Sequence, residues 1–160
     1  MKAVPRLLLC VLAIFTSVAQ ANPDFEISSL KGVSSLKVIV EDIDRLGITD
    51  LHVREAAELM LRRNGVQVVA PDEIGLGDGF CMLRVRITLA SSETSNVAHN
   101  VSVELCQKIA VMRTAEVMWM ATWTSGTTSL CTRASAKTDV FSSIDKNMTA
   151  FINDLLKANR

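Results

Sequence analysis

Apolar and polar residues alternate along much of this chain, and in two further stretches they recur with a helical period. The longest alternating block, Phe80 to Ser125, divides into three strands: FCMLRVRITLAS, NVSVELCQKIAVM and AEVMWMATWTS. In the first, Cys81, Leu83, Val85, Ile87 and Leu89 share one side, and Met82, Arg84, Arg86 and Thr88 share the other. Such a strand buries one face and wets the other. In the second, Asn100 to Met112, the residues Val101, Val103, Leu105, Ile109 and Val111 are assigned inward, with Ser102, Glu104, Cys106 and Lys108 outward. In the third, Ala115 to Thr124, strict alternation puts Val117, Trp119, Ala121 and Trp123 on one face and Glu116, Met118, Met120 and Thr122 on the other. Ser91 to His99 reads as a polar loop, Arg113-Thr114 as a tight reversal, and the Ser/Thr-rich Gly126 to Lys137 as irregular.

Upstream, LKVIVEDI (Leu36 to Ile43) has the β-branched content and length of a strand. A helix follows. Thr49 or Asp50 can cap its first turn, and Val53, Ala56, Ala57, Met60 and Leu61 form one apolar stripe. Arg62 and Arg63 suit the negative end of the helix dipole, and Asn64-Gly65 stops the helix through a left-handed residue. Val66 to Val69 is then a short strand, parallel to the first across a crossover. Ala70 to Gly79 contains Pro71 and three glycines and reads as a loop. A final helix spans about Thr138 to Lys157, with Phe141, Ile144, Met148, Phe151, Ile152 and Leu155 on one stripe. The order β-α-β-β-β-β-α predicts an α+β two-layer sandwich: a mixed, mostly antiparallel sheet of about five strands with two helices on one face.

The first residues change the address. Lys2 and Arg6 precede the apolar run LLLCVLAIFTSV, and Ala19-Gln20-Ala21 supplies small residues for cleavage. This is the pattern of a secretory signal peptide over residues 1–21, with an apolar run shorter than the roughly 20 residues a spanning helix needs. Residues 22–160 form one domain by length, and the expected location is periplasmic or secreted. Without the leader the chain has 15 basic and 17 acidic residues, a net charge of −2. With its basic residues scattered, it lacks the basic face a nucleic-acid partner requires. Three of the four cysteines remain, Cys81, Cys106 and Cys131; an odd number leaves at least one thiol outside any internal disulfide.

Four phrases carry a resemblance: LKVIVEDID, AAELMLRRNGVQVV, ATWTSG and FINDLLKAN. Together they resemble a family of uncharacterised exported bacterial proteins over roughly residues 34 to 158. The element order is also similar to that of the TolB amino-terminal domain and of the periplasmic domains of curli-secretion and penicillin-binding-protein activator lipoproteins. The resemblance implies a role in envelope assembly or scaffolding. It implies no activity.

Candidate chemistry is sparse. There is no G-x-S-x-G elbow and no phosphate-cradling glycine loop, so the expectation is a protein that is not an enzyme and takes no cofactor or metal. Glu41, Asp42 and Asp44 read as a solvated strand end, and Asp72, Glu73 and Asp78 as turn residues. His52 and His99 read as surface residues. Two surfaces stand out. Met82, Met118 and Met120, with Ile39 and Phe80, fall on the predicted wet face among Arg84, Arg86 and Cys106; soft methionine clusters suit adaptable contact surfaces. Trp119 and Trp123, four apart, fall on one predicted face, where they either pack in the core or line a small-ligand pocket near Thr124-Ser125-Gly126. The leading expectation is therefore an envelope interaction module that binds a protein partner or itself through the open sheet face or an edge strand. The alternative is a small-ligand-binding periplasmic protein.

Overall fold

The computed structural model of the chain describes residues 23–41, 46–70, 81–91 and 95–160. The predicted leader, Asp42, Asp44, Asp72, Glu73, Asp78 and Phe80 lie outside these residues. Eight elements follow in order: α1 (Pro23–Ser29), β1 (Ser35–Glu41), α2 (Asp50–Arg63), β2 (Gln67–Val68), β3 (Cys81–Ser91), β4 (Asn96–Val111), β5 (Glu116–Thr132) and α3 (Ala136–Ala158). The strands form one mixed sheet in the order β2-β1-β3-β4-β5. β1 runs parallel to both β2 and β3, and β3, β4 and β5 form an antiparallel meander. The fold is α+β, as the periodicity predicts.

The inner face of the sheet is continuous. Leu36 and Val38 of β1, Leu83, Val85 and Ile87 of β3, and Val101, Val103 and Leu105 of β4 are all buried in one core. α2 adds Val53, Ala57 and Leu61, and α3 adds Val140, Ile144, Met148, Phe151, Ile152 and Leu155. α2 packs beside α3, and both lie on this inner face. Thr49 caps α2 by accepting from the His52 amide, and Gly65 ends it with φ of 79°, so both predicted punctuation marks are used.

Three boundaries differ from the sequence expectation. α1 forms where a polar lead-in was expected, and Leu30 just beyond it is fully buried. β4 begins at Asn96 rather than Asn100. β5 continues to Thr132 through the stretch expected to be irregular. The two extensions have one cause. Asn96 through Ser102 pair with Thr132 through Gly126, residue for residue. Cross-strand hydrogen bonding and small β-branched threonines sustain a ribbon whose polarity hides its period. α3 accordingly begins at Ala136, two residues early.

A buried side chain at the middle of α3 fastens the helix to this ribbon. The Asn147 amide group donates from Nδ2 to the Val101 carbonyl at 3.0 Å, while its Oδ1 accepts from Ser125 Oγ at 3.1 Å and from Thr127 Oγ1 at 3.0 Å. A buried amide satisfied on both ends contributes little net, but removing it strands its partners. Asn147→Ala is expected to lower the unfolding free energy by about 2–4 kcal/mol in urea titration. Asn100→Ala, which removes an exposed bond to Thr128, is expected to change it by less than about 0.5 kcal/mol.

Candidate functional site

One extra residue in β5 decides which of its side chains face each side of the sheet. Leu105 pairs with Trp123, but Cys106 pairs with Ala121, so Thr122 is a bulge in β5. A single inserted residue reverses which face every later side chain takes. The bulge is held in place. Thr122 Oγ1 donates to Gln107 Oε1 at 2.9 Å, and Gln107 Nε2 donates to the Ser29 carbonyl of α1 at 3.2 Å.

This corrects two expectations from strict alternation. Trp119 and Trp123 do not share a face. Trp123 faces the core at 3% exposure, its indole Nε1 donating to Asp154 Oδ2 at 3.0 Å and its ring meeting Phe151 edge-on at 5.0 Å. Trp119 pairs with Lys108 on the outer face, where the Lys108 ammonium sits 5.5 Å from the ring centre. Met118 and Met120 pair with Ile109 and Gln107 on the opposite side from Cys106, so they do not join Met82. The structure brings together Met82, Arg84, Cys106 and Trp119 with Ile39 and Glu41, around a shallow pocket of about 110 Å³. Pockets for small metabolites and drugs run to several hundred Å³, so this hollow suits one inserted side chain.

Around it the outer face is a charge lattice. Arg84 pairs with Glu104 at 2.9 Å and with Glu41 at 3.6 Å, and Arg86 pairs with Glu41 at 3.0 Å and with Glu104 at 3.9 Å. Two cations and two anions alternate across β1, β3 and β4 and neutralise one another. Partly exposed pairs contribute little stability each. The Cys106 thiol accepts from Arg84 Nη2 at 3.3 Å. Burial pushes that thiol up, and the Arg84 guanidinium offsets only part of the shift. Cys106 is therefore a protonated thiol beneath the face, where alternation had suggested an exposed one.

Beyond the bulge, the β4–β5 hairpin runs past the helical layer and exposes apolar side chains on both faces. Val117 (66%) and Trp119 (40%) lie on one side, Met118 and Met120 on the other, and Met112 (97%) at the turn. Thr114 and Ala115 close the turn with amides on the Val111 carbonyl, and Ala115 takes a left-handed φ of 55°. In the described sheet the other flank of β5 pairs with no strand. Sheet edges are ordinarily protected by charges, proline or short length. β5 has 17 residues, and from Val117 to Thr132 it contains no charged residue and no proline. Among the described residues its protection is the bulge and the end of α1, where Ser29 Oγ donates to the Thr122 carbonyl at 3.2 Å. Sequence reasoning missed this edge because it ended the strand at Thr124.

The histidines separate as well. His52 is exposed at the α2 cap, whereas His99, expected at the surface, is buried between Ser143 and Cys131. The described residues contain no group of three His, Cys, Asp or Glu side chains able to hold a metal. They contain no disulfide among Cys81, Cys106 and Cys131. No helix among them is long and apolar enough to cross a membrane.

No family model matches this chain, and no curated protein matches it in sequence. Solved structures similar to it include two PelC dodecamers from Paraburkholderia phytofirmans. One, a point variant, has a TM-score of 0.48 at 15% identity over 81% of this chain and 91% of that one. The other has 0.46 at 14%, over 81% and 89%. A minor lipoprotein from Acinetobacter baumannii has 0.39 at 12%, over 78% and 92%. These are bacterial proteins, and likenesses of this size carry no functional argument.

The placement of the two indoles is directly measurable. Acrylamide is expected to quench one of two emission components in the native protein, the one from Trp119. In Trp119→Phe the remaining emission should be blue-shifted and quenched several-fold less, as for a buried indole. Equal quenching of Trp119→Phe and Trp123→Phe would mean that the bulge does not reverse the faces.

Proposed function

We propose that this protein is a non-enzymatic interaction module of the bacterial cell envelope, and that it self-associates through β5, one copy adding its β5 edge to that of another. The observation that carries this reading is the uncharged, proline-free β5 edge, continuous with an apolar tip. Strand addition supplies main-chain hydrogen bonds, while side chains set the register. A second copy fits because the edge is complementary to itself when two β5 strands run antiparallel, as a two-fold axis requires.

Magnitudes separate the contributions. Burying the remaining exposed area of Val117, Met118, Trp119, Met120 and Met112 is worth on the order of 1 kcal/mol each. Association costs about 4–15 kcal/mol in lost freedom. The tip alone therefore gives at best a transient complex, and the edge hydrogen bonds must act with it. The outer pocket beside Trp119 is a receptor for a single partner side chain, which is how a few anchors dominate an interface. The leader read from the sequence supports an association outside the cytoplasm.

Gatekeeper charges on the edge test the reading. Val117→Lys with Leu130→Lys alters two exposed positions of β5, 66% and 68% accessible, away from the core. The parent protein is expected to show a concentration-dependent rise in mass by light scattering, and the double variant to stay monomeric with an unchanged far-ultraviolet spectrum. A parent that is monomeric up to hundreds of micromolar contradicts self-association. A variant that associates as the parent does shows that β5 is not the contact.

A further inference from the structure

A second cluster lies on the inner face at the far end of β5, apart from the tip. Cys131 and His99 come from neighbouring strands: Val97 pairs with Cys131, and His99 with Ser129. Cys131 Sγ is 3.7 Å from His99 Nδ1 and 3.4 Å from the Val97 carbonyl. On the other side of the ring, His99 Nε2 is 3.1 Å from Ser143 Oγ. Ser143 belongs to α3, and its hydroxyl donates to the Asp139 carbonyl one turn earlier at 2.9 Å. A serine hydroxyl has one proton. With that proton on Asp139, Ser143 can only accept from His99, which fixes the ring as the Nε2–H tautomer. Nδ1 then presents its lone pair to the Cys131 thiol. The arrangement is a nucleophile, a base and a group that orients the base, and all three come from different elements.

We propose that Cys131 is a thiol–disulfide exchange site for low-molecular-weight disulfides, with His99 as the proton acceptor and Ser143 as its positioning residue. Cys131 is partly exposed, whereas Cys81 and Cys106 are buried. Its side chain leaves β5 toward α3 rather than along the strand edge, so the site does not depend on what covers that edge. In the step, the S–H proton passes to His99 Nδ1 and Cys131 sulfur attacks one sulfur of R–S–S–R. A Cys131–S–S–R bond forms as the R–S–S–R bond breaks, and the departing thiolate takes the proton from His99 to leave as R–SH. The disulfide supplies the only oxidising equivalent.

The resting thiol is not activated. Desolvation raises it, the neighbouring Asp139 carboxylate raises it further, and the Ser135 hydroxyl offsets part of this. Asp139 is itself engaged, accepting from Ser135 Oγ at 2.7 Å. The site therefore has an accelerating neighbour, His99, and a restraining one, Asp139, and the two give opposite signs on substitution. Because attack requires the thiolate, a base aimed at Sγ matters more here than for a thiol with a low resting value.

The test uses the whole protein with oxidised glutathione as the probe disulfide, followed by intact-mass measurement and peptide mapping. One glutathione adduct is expected, on Cys131, with Cys81 and Cys106 unmodified. His99→Gln should slow its formation about tenfold, and Asp139→Asn should speed it severalfold. Ser143→Ala should slow it while replacing the single Nε2–H signature of His99 in nitrogen-15 spectra with a mixture of tautomers. If His99→Gln does not fold, the Asp139 and Ser143 variants decide by their opposite directions. An adduct on Cys106 or Cys81 instead, no adduct at all, or a Cys131 rate indifferent to all three substitutions overturns the proposal.

Discussion

The seating of α3 against the inner faces of β4 and β5 is the contact on which the rest of the molecule depends. Phe151, Met148 and Ile144 fill the space above Val101, Val103 and Leu105, and Asn147 ties the helix to three backbone or hydroxyl groups at the centre of that contact. Apolar burial of this kind supplies most of the driving force but no direction. The amide supplies direction, because it is satisfied in one register of helix on ribbon. With one face so covered, the other has no layer above it among the described residues, and Arg84, Arg86, Glu41 and Glu104 pair with one another there.

The bulge at Thr122 divides β5 into two functional lengths. Below it, Trp123, Ser125 and Thr127 face α3 and belong to the core or its fastening. Above it, the same strand runs out from under α3 and exposes apolar residues on both sides. A hairpin tip that exposes apolar side chains on both of its faces favours a partner there. The same strand ends beside α3 in the Cys131–His99 pair, so a single element carries both the proposed contact and the proposed redox site.

Much of this was legible from the residues. The layer order, the α2 cap and its terminating glycine, and the inward residues of β3 follow from period and punctuation, because there the pattern has one cause. The failures cluster where two causes compete. Thr127, Thr128 and Ser129 look like loop residues by composition, but they are held in a strand by pairing with Val101, Asn100 and His99, and a partner strand is not visible to a local window. The alternation through Trp119 and Trp123 is unbroken in the sequence, and nothing in MATWT marks Thr122 as the extra residue. It takes Gln107 and Ser29, far away in the chain, to hold it there. His99 is misread for the same reason, since its burial comes from α3 and not from its neighbours.

Self-association requires that β5 be an edge that a second chain completes. Residue-resolved amide hydrogen exchange, recorded at dilute and at high protein concentration, tests this most directly. Alternate amides between Val117 and Leu130, those pointing away from β4, are expected to exchange quickly when dilute and to slow by at least tenfold when concentrated, with β1 and β2 unchanged. Exchange along β5 that is the same at both concentrations, or protection that appears at β2 instead, would contradict it.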